Sequence, residues 1–420
     1  MAERYRSIRG TRDILPGQSE KWQYVEKIAF ETAALYGIRE IRIPTIEKTQ
    51  LFTRSVGETT DVVQKEMYTF DKGRESITLR PEGTAGTLRA AIENNMLSDV
   101  LPVKLCYNIS CFRHDNPQAG RYREFVQFGI ECLGNPLPTA DAEVIGVAYD
   151  IFSRLGVTEG LTLHINSIGC PSCRPGYNGA LKEYYESRKN SLCKTCLERL
   201  ERNPLRLLDC KEEACHALAL QAPKTTDFLC GECENHFEGL KKRLTAMGLE
   251  YDHNPFIVRG LDYYTKTVFE FTSSLLGAQS TVCGGGRYDG LIEMLGGPPT
   301  PALGFGMGLD RLILIMEAAG SSFPEPAACD LYIGSMGEAE NIKALELVTA
   351  LRREGFQVLC DTVGRSVKAQ MRYADKMNAA YSCILGSQEL EQGTARVKRM
   401  SDGDVTEVGL TTQDFSALLK

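Results

Sequence analysis

No stretch of the sequence approaches the roughly 18 consecutive apolar residues that a membrane-spanning helix needs. The opening charges Glu3, Arg4, Arg6, Arg9 and Arg12 are not followed by the apolar core of a secretory leader, so a cytoplasmic location is expected. Internal repeats and low-complexity tracts are missing. With 43% hydrophobic and 25% charged residues, the balance excludes disorder, collagen and a coiled coil. Positive charge is not in excess either. The formal net charge is -7, from 48 Lys and Arg against 55 Asp and Glu, so nucleic-acid contact requires local basic patches rather than bulk attraction. The glycines form neither a nucleotide fingerprint nor a P-loop, so any ATP is bound by another route.

What is present is a chain of 420 residues, enough for two or three domains at about 150 residues each. Ser19 is placed to cap a helix carrying Trp22, Val25, Ile28, Ala29 and Tyr36 at helical spacing, with Gly37 as its stop. Residues 39–44 alternate like a strand that Pro44 ends. A short strand at 76–79 and a helix-prone stretch at 82–94 follow. Residues 103–113 and 122–133 read as the arms of a hairpin around the turn-rich segment 114–121. On the second arm, alternation sends Tyr122, Glu124, Val126, Phe128, Ile130 and Cys132 to one face. Arg123, Phe125, Gln127, Gly129 and Glu131 go to the other. The first face is mostly core; the second is an aromatic, an amide, a bare backbone and a carboxylate in a row.

Residues 165–245, rich in Cys, Lys and Glu, look like an insertion. Beyond them 267–271 alternates as a strand, 283–290 reads as a tight glycine-rich loop, and 302–308 is a strand of small residues. That strand feeds a helix with Leu309, Leu312, Ile313 and Met316 on one face. Residues 321–328 read as a linker. The apolar strands at 330–333, 357–360 and 381–385, separated by helical segments, indicate a small α/β domain with a partly parallel sheet.

Three arginines stand beside structural punctuation: Arg113 closes a strand, Arg259 precedes Gly260, and Arg311 opens a helix. A planar guanidinium donates two parallel hydrogen bonds, which suits phosphate or carboxylate, although any one of them taken alone reads more often as a surface or ion-pair residue. The motifs around them are specific. FRHDNPQAGRYREFVQFGIECLG, from Phe112 to Gly134, closely resembles motif 2 of the class II aminoacyl-tRNA synthetases, and ALGFGMGLDR, from Ala302 to Arg311, resembles motif 3. The strand ending at Pro44 resembles motif 1. RGLDYY from Arg259 and GGRYDG from Gly285 are similar to the two histidine-specific motifs of the histidyl-tRNA synthetase family. RGTRD from Arg9 and RPEGT from Arg80 fit the same family.

The resemblance runs through the whole chain, and it implies an α+β catalytic domain over 1–322: a class II antiparallel sheet flanked by helices, interrupted by the insertion domain. A C-terminal α/β anticodon-binding domain over 328–420 follows. It implies a ligase that activates L-histidine with ATP and Mg2+ and passes it to tRNA(His), as a homodimer through motif 1 and without a membrane. By resemblance, Arg113 holds the α-phosphate, Arg311 the γ-phosphate, and Arg259 stands at the reacting centre. Phe125 and Arg311 sandwich adenine, with Asp115 and Arg121 also in the ATP site. Glu82, Gly83, Thr84, Gln127, Glu131, Tyr263, Tyr264 and Tyr288 surround histidine. The family usually has Glu where Asp115 stands, which leaves the contact to the adenine amino group open.

Gln118, Arg121 and Arg123 are candidates for the tRNA acceptor end. In the C-terminal domain Arg365, Lys368, Arg372 and Lys376, at i, i+3, i+7 and i+11, share one helical face suited to a tRNA backbone. The 15 cysteines include Cys170-x2-Cys173, Cys193-x2-Cys196, Cys210-x4-Cys215 and Cys230-x2-Cys233. Two readings stand open for these: structural zinc in one or two all-cysteine sites, with His216 and His236 as substitutes, or reduced thiols without metal. Catalysis in the family does not require zinc. The rival to a ligase is the synthetase-like regulatory subunit of ATP phosphoribosyltransferase, which shares the catalytic fold but typically lacks the anticodon domain and has degraded histidine motifs.

Overall fold

The hairpin expected from period-two alternation lies in an eight-stranded sheet in the computed structural model, which describes residues 5–57, 60, 62–210, 212–279, 281–324 and 329–420. The strands are β1 (Arg39–Glu40), β2 (Val103–Phe112), β3 (Glu124–Leu133), β4 (Leu161–Ser167), β5 (Asp252–His253), β6 (Thr265–Ser273), β7 (Thr281–Arg287) and β8 (Ala302–Gly308). Their order is β1-β2-β3-β8-β7-β6-β4-β5, antiparallel throughout the middle and parallel only at the short edge strands β1 and β5.

Alternation gives the sheet two unlike faces. One carries Phe128, Ile130, Phe269, Phe271, Phe305 and Met307, all buried in a single core. Helices Ser19–Leu35, Pro138–Arg154, Gly231–Ala246 and Leu309–Ala318 cover it. Each fully buried Phe or Met contributes on the order of 1.5–3 kcal/mol relative to exposure. The other face is nearly bare. Gly129 pairs with Gly306, Gly306 with Gly284, and Gly284 with Glu270, so a row of glycines crosses three strands.

This register corrects the reading of 283–290 as a loop: residues 281–287 form β7, near the middle of the sheet. Glycine is there for clearance rather than for turning. A Cβ on Gly284 would collide with the Arg259 guanidinium, one on Gly304 with the Glu131 carboxylate, and one on Gly306 with the Gln127 amide. Missing side chains on the strands therefore let large polar side chains lie flat over the sheet. Two smaller differences follow from local bonding. The first helix has Gln18 at its N-cap, because Ser19 Oγ turns to Glu20 at 3.2 Å. The alternation over 39–44 pairs only through β1 and the Ile41 N–H, which donates to Cys106 O at 2.8 Å.

The chain divides into two compact units, Met1–Phe323 and Pro324–Lys420. Of the expected linker, residues 325–328 lie outside the described residues. Within the first unit the Cys-rich segment leaves the sheet after β4 and returns through Gly231–Ala246. Between them lie helices Arg174–Glu186, Lys194–Arg202 and Glu213–Ala219, whose Tyr177, Leu181, Tyr185 and Leu200 share one core with Tyr263, Tyr264 and Tyr288. In the second unit three parallel strands, Val358–Cys360, Leu331–Ser335 and Tyr381–Leu385, are extended by an antiparallel pair, Thr394–Arg399 and Val405–Gly409. Helices Glu338–Arg353 and Val367–Lys376 make the crossovers.

Candidate active site

Over the glycine floor opens a cleft of about 300 Å³, lined among others by Arg113, Phe125, Gln127, Arg259, Gly284 and Arg311. Three arginines from three distant sequence motifs converge there, which no local periodicity announces. Arg113 is anchored by Nε to the carbonyl of Pro81 at 2.8 Å, and its guanidinium lies 5.3 Å from the centre of the Phe125 ring. Arg311, in the first turn of its helix, donates from Nε to Gly120 O at 3.1 Å and from Nη1 to Thr281 O at 2.5 Å. Burial, then the neighbouring charges of Arg121 and Arg113, push its pKa down. Cations held together in a half-buried cleft are relieved by an anionic ligand. Arg259 is paired with Glu270 of β6; burial opposes its charge, but that carboxylate outweighs it and holds the pKa above the ordinary value.

Beside the cleft lies a closed polar network. Glu131, buried on β3, accepts from Thr84 Oγ1 at 2.7 Å, from Tyr107 Oη at 3.0 Å and from Tyr288 Oη. Burial raises its pKa to about 8, against the lowering effect of these hydroxyls and with a further upward push from Glu82. Glu82 itself sits at the start of helix Thr84–Glu93 and accepts the N–H groups of Thr84 at 2.7 Å and Ala85 at 2.9 Å. A carboxylate there satisfies orphan donors and meets the positive end of the helix, yet burial still raises its pKa. Gln127 Oε1 accepts from Gly83 N at 3.1 Å, which joins the network to the cleft. Tyr263 and Tyr264 pack on each other with ring centres 4.6 Å apart, and Tyr263 meets Tyr288 edge-on at 5.5 Å.

The loop between the hairpin arms places the remaining candidates. Asp115 faces Arg121 as an ion pair, while its carbonyl accepts from Arg123 Nε at 3.2 Å. Gln118 is exposed and bridges Arg121 through the backbone. Sequence reasoning missed several functional neighbours. Tyr107 stands opposite Gly129, a position that sorting the first hairpin arm by alternation would have flagged. Glu270 faces Gly284 across the β6–β7 ladder, and no local signal marks it. Asp310, the residue before Arg311, binds Arg12 at 2.7 Å and the Val126 N–H at 3.1 Å, tying the RGTRD segment to the cleft. Beneath the sheet Arg287, with no exposed surface, pairs with buried Asp141, which also meets His236 at 3.3 Å.

The eight cysteines of the insertion gather as two tetrads, Cys170, Cys173, Cys230 and Cys233, and Cys193, Cys196, Cys210 and Cys215, with all sulfurs in each within 4.8 Å of one another. Measured Sγ–Sγ distances are 3.7 Å for Cys170–Cys173 and 3.9 Å for both Cys170–Cys230 and Cys193–Cys210. A tetrahedral zinc with Zn–S bonds near 2.3 Å sets its sulfurs about 3.8 Å apart, so the donor sets fit that ion. Backbone N–H groups of Cys230 and Cys193 point at Cys173 Sγ and Cys215 Sγ at 3.1 and 3.2 Å, as thiolate ligands require. His216 and His236 belong to neither tetrad.

In the second unit the helix starts at Val367, so Arg365 lies before it and is not on the expected face. It pairs with Asp361 at 2.7 Å and stacks over Tyr373 at 4.3 Å. Lys368, Arg372 and Lys376 keep helical spacing and are exposed.

A model of the histidyl-tRNA synthetase family matches residues 10–172 and 186–312, and a model of an anticodon binding domain matches residues 331–420. The chain is 54% identical over 405 residues to a histidine–tRNA ligase of Acetivibrio thermocellus, covering 96% of this chain and 97% of that one. It is similar to the crystal structure of apo histidyl-tRNA synthetase from S. aureus, with a TM-score of 0.83, 38% identity and 99% of each chain covered. A protein from Bacillus halodurans described as an ATP phosphoribosyltransferase regulatory subunit/histidyl-tRNA synthetase shares the fold, with a TM-score of 0.63, 21% identity, and coverage of 92% of this chain and all of that one.

Proposed function

The chain belongs to the histidyl-tRNA synthetase family, and on that premise we propose how its cleft carries out the histidine–tRNA ligase reaction. The histidine carboxylate attacks the α-phosphorus of ATP, pyrophosphate leaves, and a ribose hydroxyl at the 3' end of tRNA(His) then attacks the adenylate carbonyl, expelling AMP. Negative charge grows on the α-phosphate oxygens in the first step, so fixed cations aimed there are the main catalytic device. Arg113 takes the α-phosphate, Arg311 the γ-phosphate, and Arg259 the reacting carboxylate and phosphate. The adenine ring lies between Phe125 and Arg311, with Asp115 and Arg121 at its edge. Mg2+ accompanies ATP and offsets the charge of its phosphates.

Histidine enters the network beside the cleft, where Glu131, Thr84, Gln127 and the tyrosines offer acceptors for its ammonium and donors or acceptors for its imidazole. A pocket built to hydrogen-bond its substrate rejects analogues that leave buried groups unpaired. The observation that carries this reading is the convergence of Arg113, Arg259 and Arg311 on one glycine-floored cleft. It also separates the chain from the regulatory-subunit alternative, as does the C-terminal unit that matches an anticodon binding domain. Gln118 and Arg123 reach for the acceptor end, and Lys368, Arg372 and Lys376 for the anticodon arm, with Arg365 positioned by Asp361. Each cysteine tetrad holds one structural zinc, and the chain works as a cytoplasmic homodimer paired through the β1 region.

The test is ATP–pyrophosphate exchange with each of the twenty amino acids in turn. Exchange with histidine alone is the expected result; a folded protein that exchanges with none would return the chain to the regulatory reading. A pH series adds detail. Glu131 must ionise to receive a cation, and its raised pKa means the empty site prefers the proton. Histidine affinity is therefore expected to rise between pH 7 and 8 and level off above about 8, while the stability of the empty protein falls from about pH 4.5, where the unfolded carboxyl ionises, until Glu131 itself ionises near 8. Calorimetric titration of Glu131→Gln, expected to show weaker binding that is flat over this range, checks the assignment.

A further inference from the structure

Besides the shared core and the Ile168 N–H, which donates to Lys266 O at 2.8 Å, five polar contacts join the insertion to the short segment 259–266, each from a residue beside a tetrad cysteine or between two of them. Gly169, next to Cys170, accepts the Lys266 N–H at 2.8 Å. Arg174, next to Cys173, donates from Nη2 to the Tyr264 carbonyl. Glu232, between Cys230 and Cys233, binds Lys266 Nζ at 2.8 Å. From the other tetrad, between Cys196 and Cys210, Asn203 donates to Asp262 at 3.0 Å and the buried Arg206 to the Arg259 carbonyl at 3.1 Å. The segment thus held carries Arg259, Tyr263 and Tyr264. It runs into Lys266, a non-glycine residue at φ +49 that the flanking bonds keep in place.

We infer that the two metal-holding tetrads are a frame for histidine recognition, in which Arg174 and Arg206 act as positioning residues that fix the backbone of 259–266 from outside the pocket. The inference rests on the reading that the tetrads hold zinc and that Tyr263 and Tyr264 meet histidine. Beyond the core that Tyr177, Leu181, Tyr185 and Leu200 share with the pocket tyrosines, the tetrads cross-link segments far apart in the insertion. Metal bonds supply the rigidity, and guanidinium-to-carbonyl bonds carry it to the pocket. Arg113 and Arg311, which grip ATP in the proposed mechanism, lie outside the segment, and of its residues only Arg259 reaches the phosphate, at the reacting centre. A role confined to packing would weaken both substrates alike.

The experiment measures bound zinc by elemental analysis and the KM values for histidine and ATP in pyrophosphate exchange, for the wild type, Arg174→Ala, Arg174→Lys and Arg206→Met. The expected result is full zinc in all four, with a histidine KM raised about tenfold in Arg174→Ala, the order set by one charge-assisted hydrogen bond. The KM for ATP should stay within about twofold, Arg174→Lys should recover most of the loss, and Arg206→Met should show the same selectivity. Full zinc with an unchanged histidine KM in Arg174→Ala would overturn the positioning role and leave the zinc reading standing. An active wild type without zinc would overturn the frame and the zinc reading together. Should Arg174→Ala lose its metal, Arg206→Met decides: a selective rise supports the frame, and none overturns it.

Discussion

Arg259→Ala is expected to lower histidine-dependent pyrophosphate exchange about 10³-fold, the loss typical of removing one preorganised donor from a developing anion. Stability should change little. The partner left behind, Glu270, keeps a bond from Thr281 Oγ1 at 3.3 Å and has a side chain 19% exposed, so water replaces the guanidinium. The stability loss is then that of a partly exposed ion pair, about 1 kcal/mol. Thermal melting beside exchange assays separates the two effects, and near-normal exchange in a folded Arg259→Ala protein would remove Arg259 from the reacting centre. The contrast with Arg174 is informative. In the proposed mechanism Arg259 touches the reactants, so its loss should fall on kcat, whereas Arg174 acts through a carbonyl, so its loss should fall on the histidine KM.

The second large effect lies beneath the sheet and concerns folding. Arg287→Met should destabilise the catalytic unit by about 3–5 kcal/mol, because it strands Asp141 as a buried charge. Arg287 has no exposed surface, and besides Asp141 it donates to Asn135 O at 2.9 Å and meets Asp289 at 3.3 Å. Burial alone would raise the Asp141 pKa, but His236 and Arg287 bring it down to about 2. A carboxyl with a depressed native pKa stabilises the fold above its unfolded value, near 4, and that contribution is lost as the pH falls through about 2. Denaturant titration at neutral pH should show the loss in Arg287→Met and a partial recovery in the double variant Asp141→Asn/Arg287→Met. Equal stabilities of wild type and Arg287→Met would show that the pair contributes no net stability.

The two arginines separate what local sequence signals carry from what they do not. The amino-acid sequence by itself determined the hairpin, through alternation over residues 122–133 that sorts core from cleft. It also determined the helix behind Arg311 and the α/β character of the last ninety or so residues. These signals are local, being set by side-chain period and turn residues within one segment. Recognition of the motifs extended this to Arg113, Arg259 and Arg311. It was misleading where local chemistry has two uses. Glycine at 283–290 reads as turn, yet residues 283–287 belong to a central strand whose bareness at Gly284 makes room for Arg259, as Gly304 and Gly306 on β8 make room for Glu131 and Gln127. Arg365 reads as part of a helical stripe, yet a bond to Asp361 holds it before the helix begins.

Only the tertiary structure decided which residues meet across long separations. The pairing of cysteines 170 and 173 with 230 and 233, around the set 193, 196, 210 and 215, is one of several groupings that four spaced pairs allow, and spacing cannot choose among them. Glu270 under Arg259, Tyr107 against Glu131, and Arg174 at the Tyr264 carbonyl join residues from different strands and helices. A strand pattern fixes which way a side chain points, whereas the partner it meets is fixed by sheet order and register, which depend on how the whole chain packs.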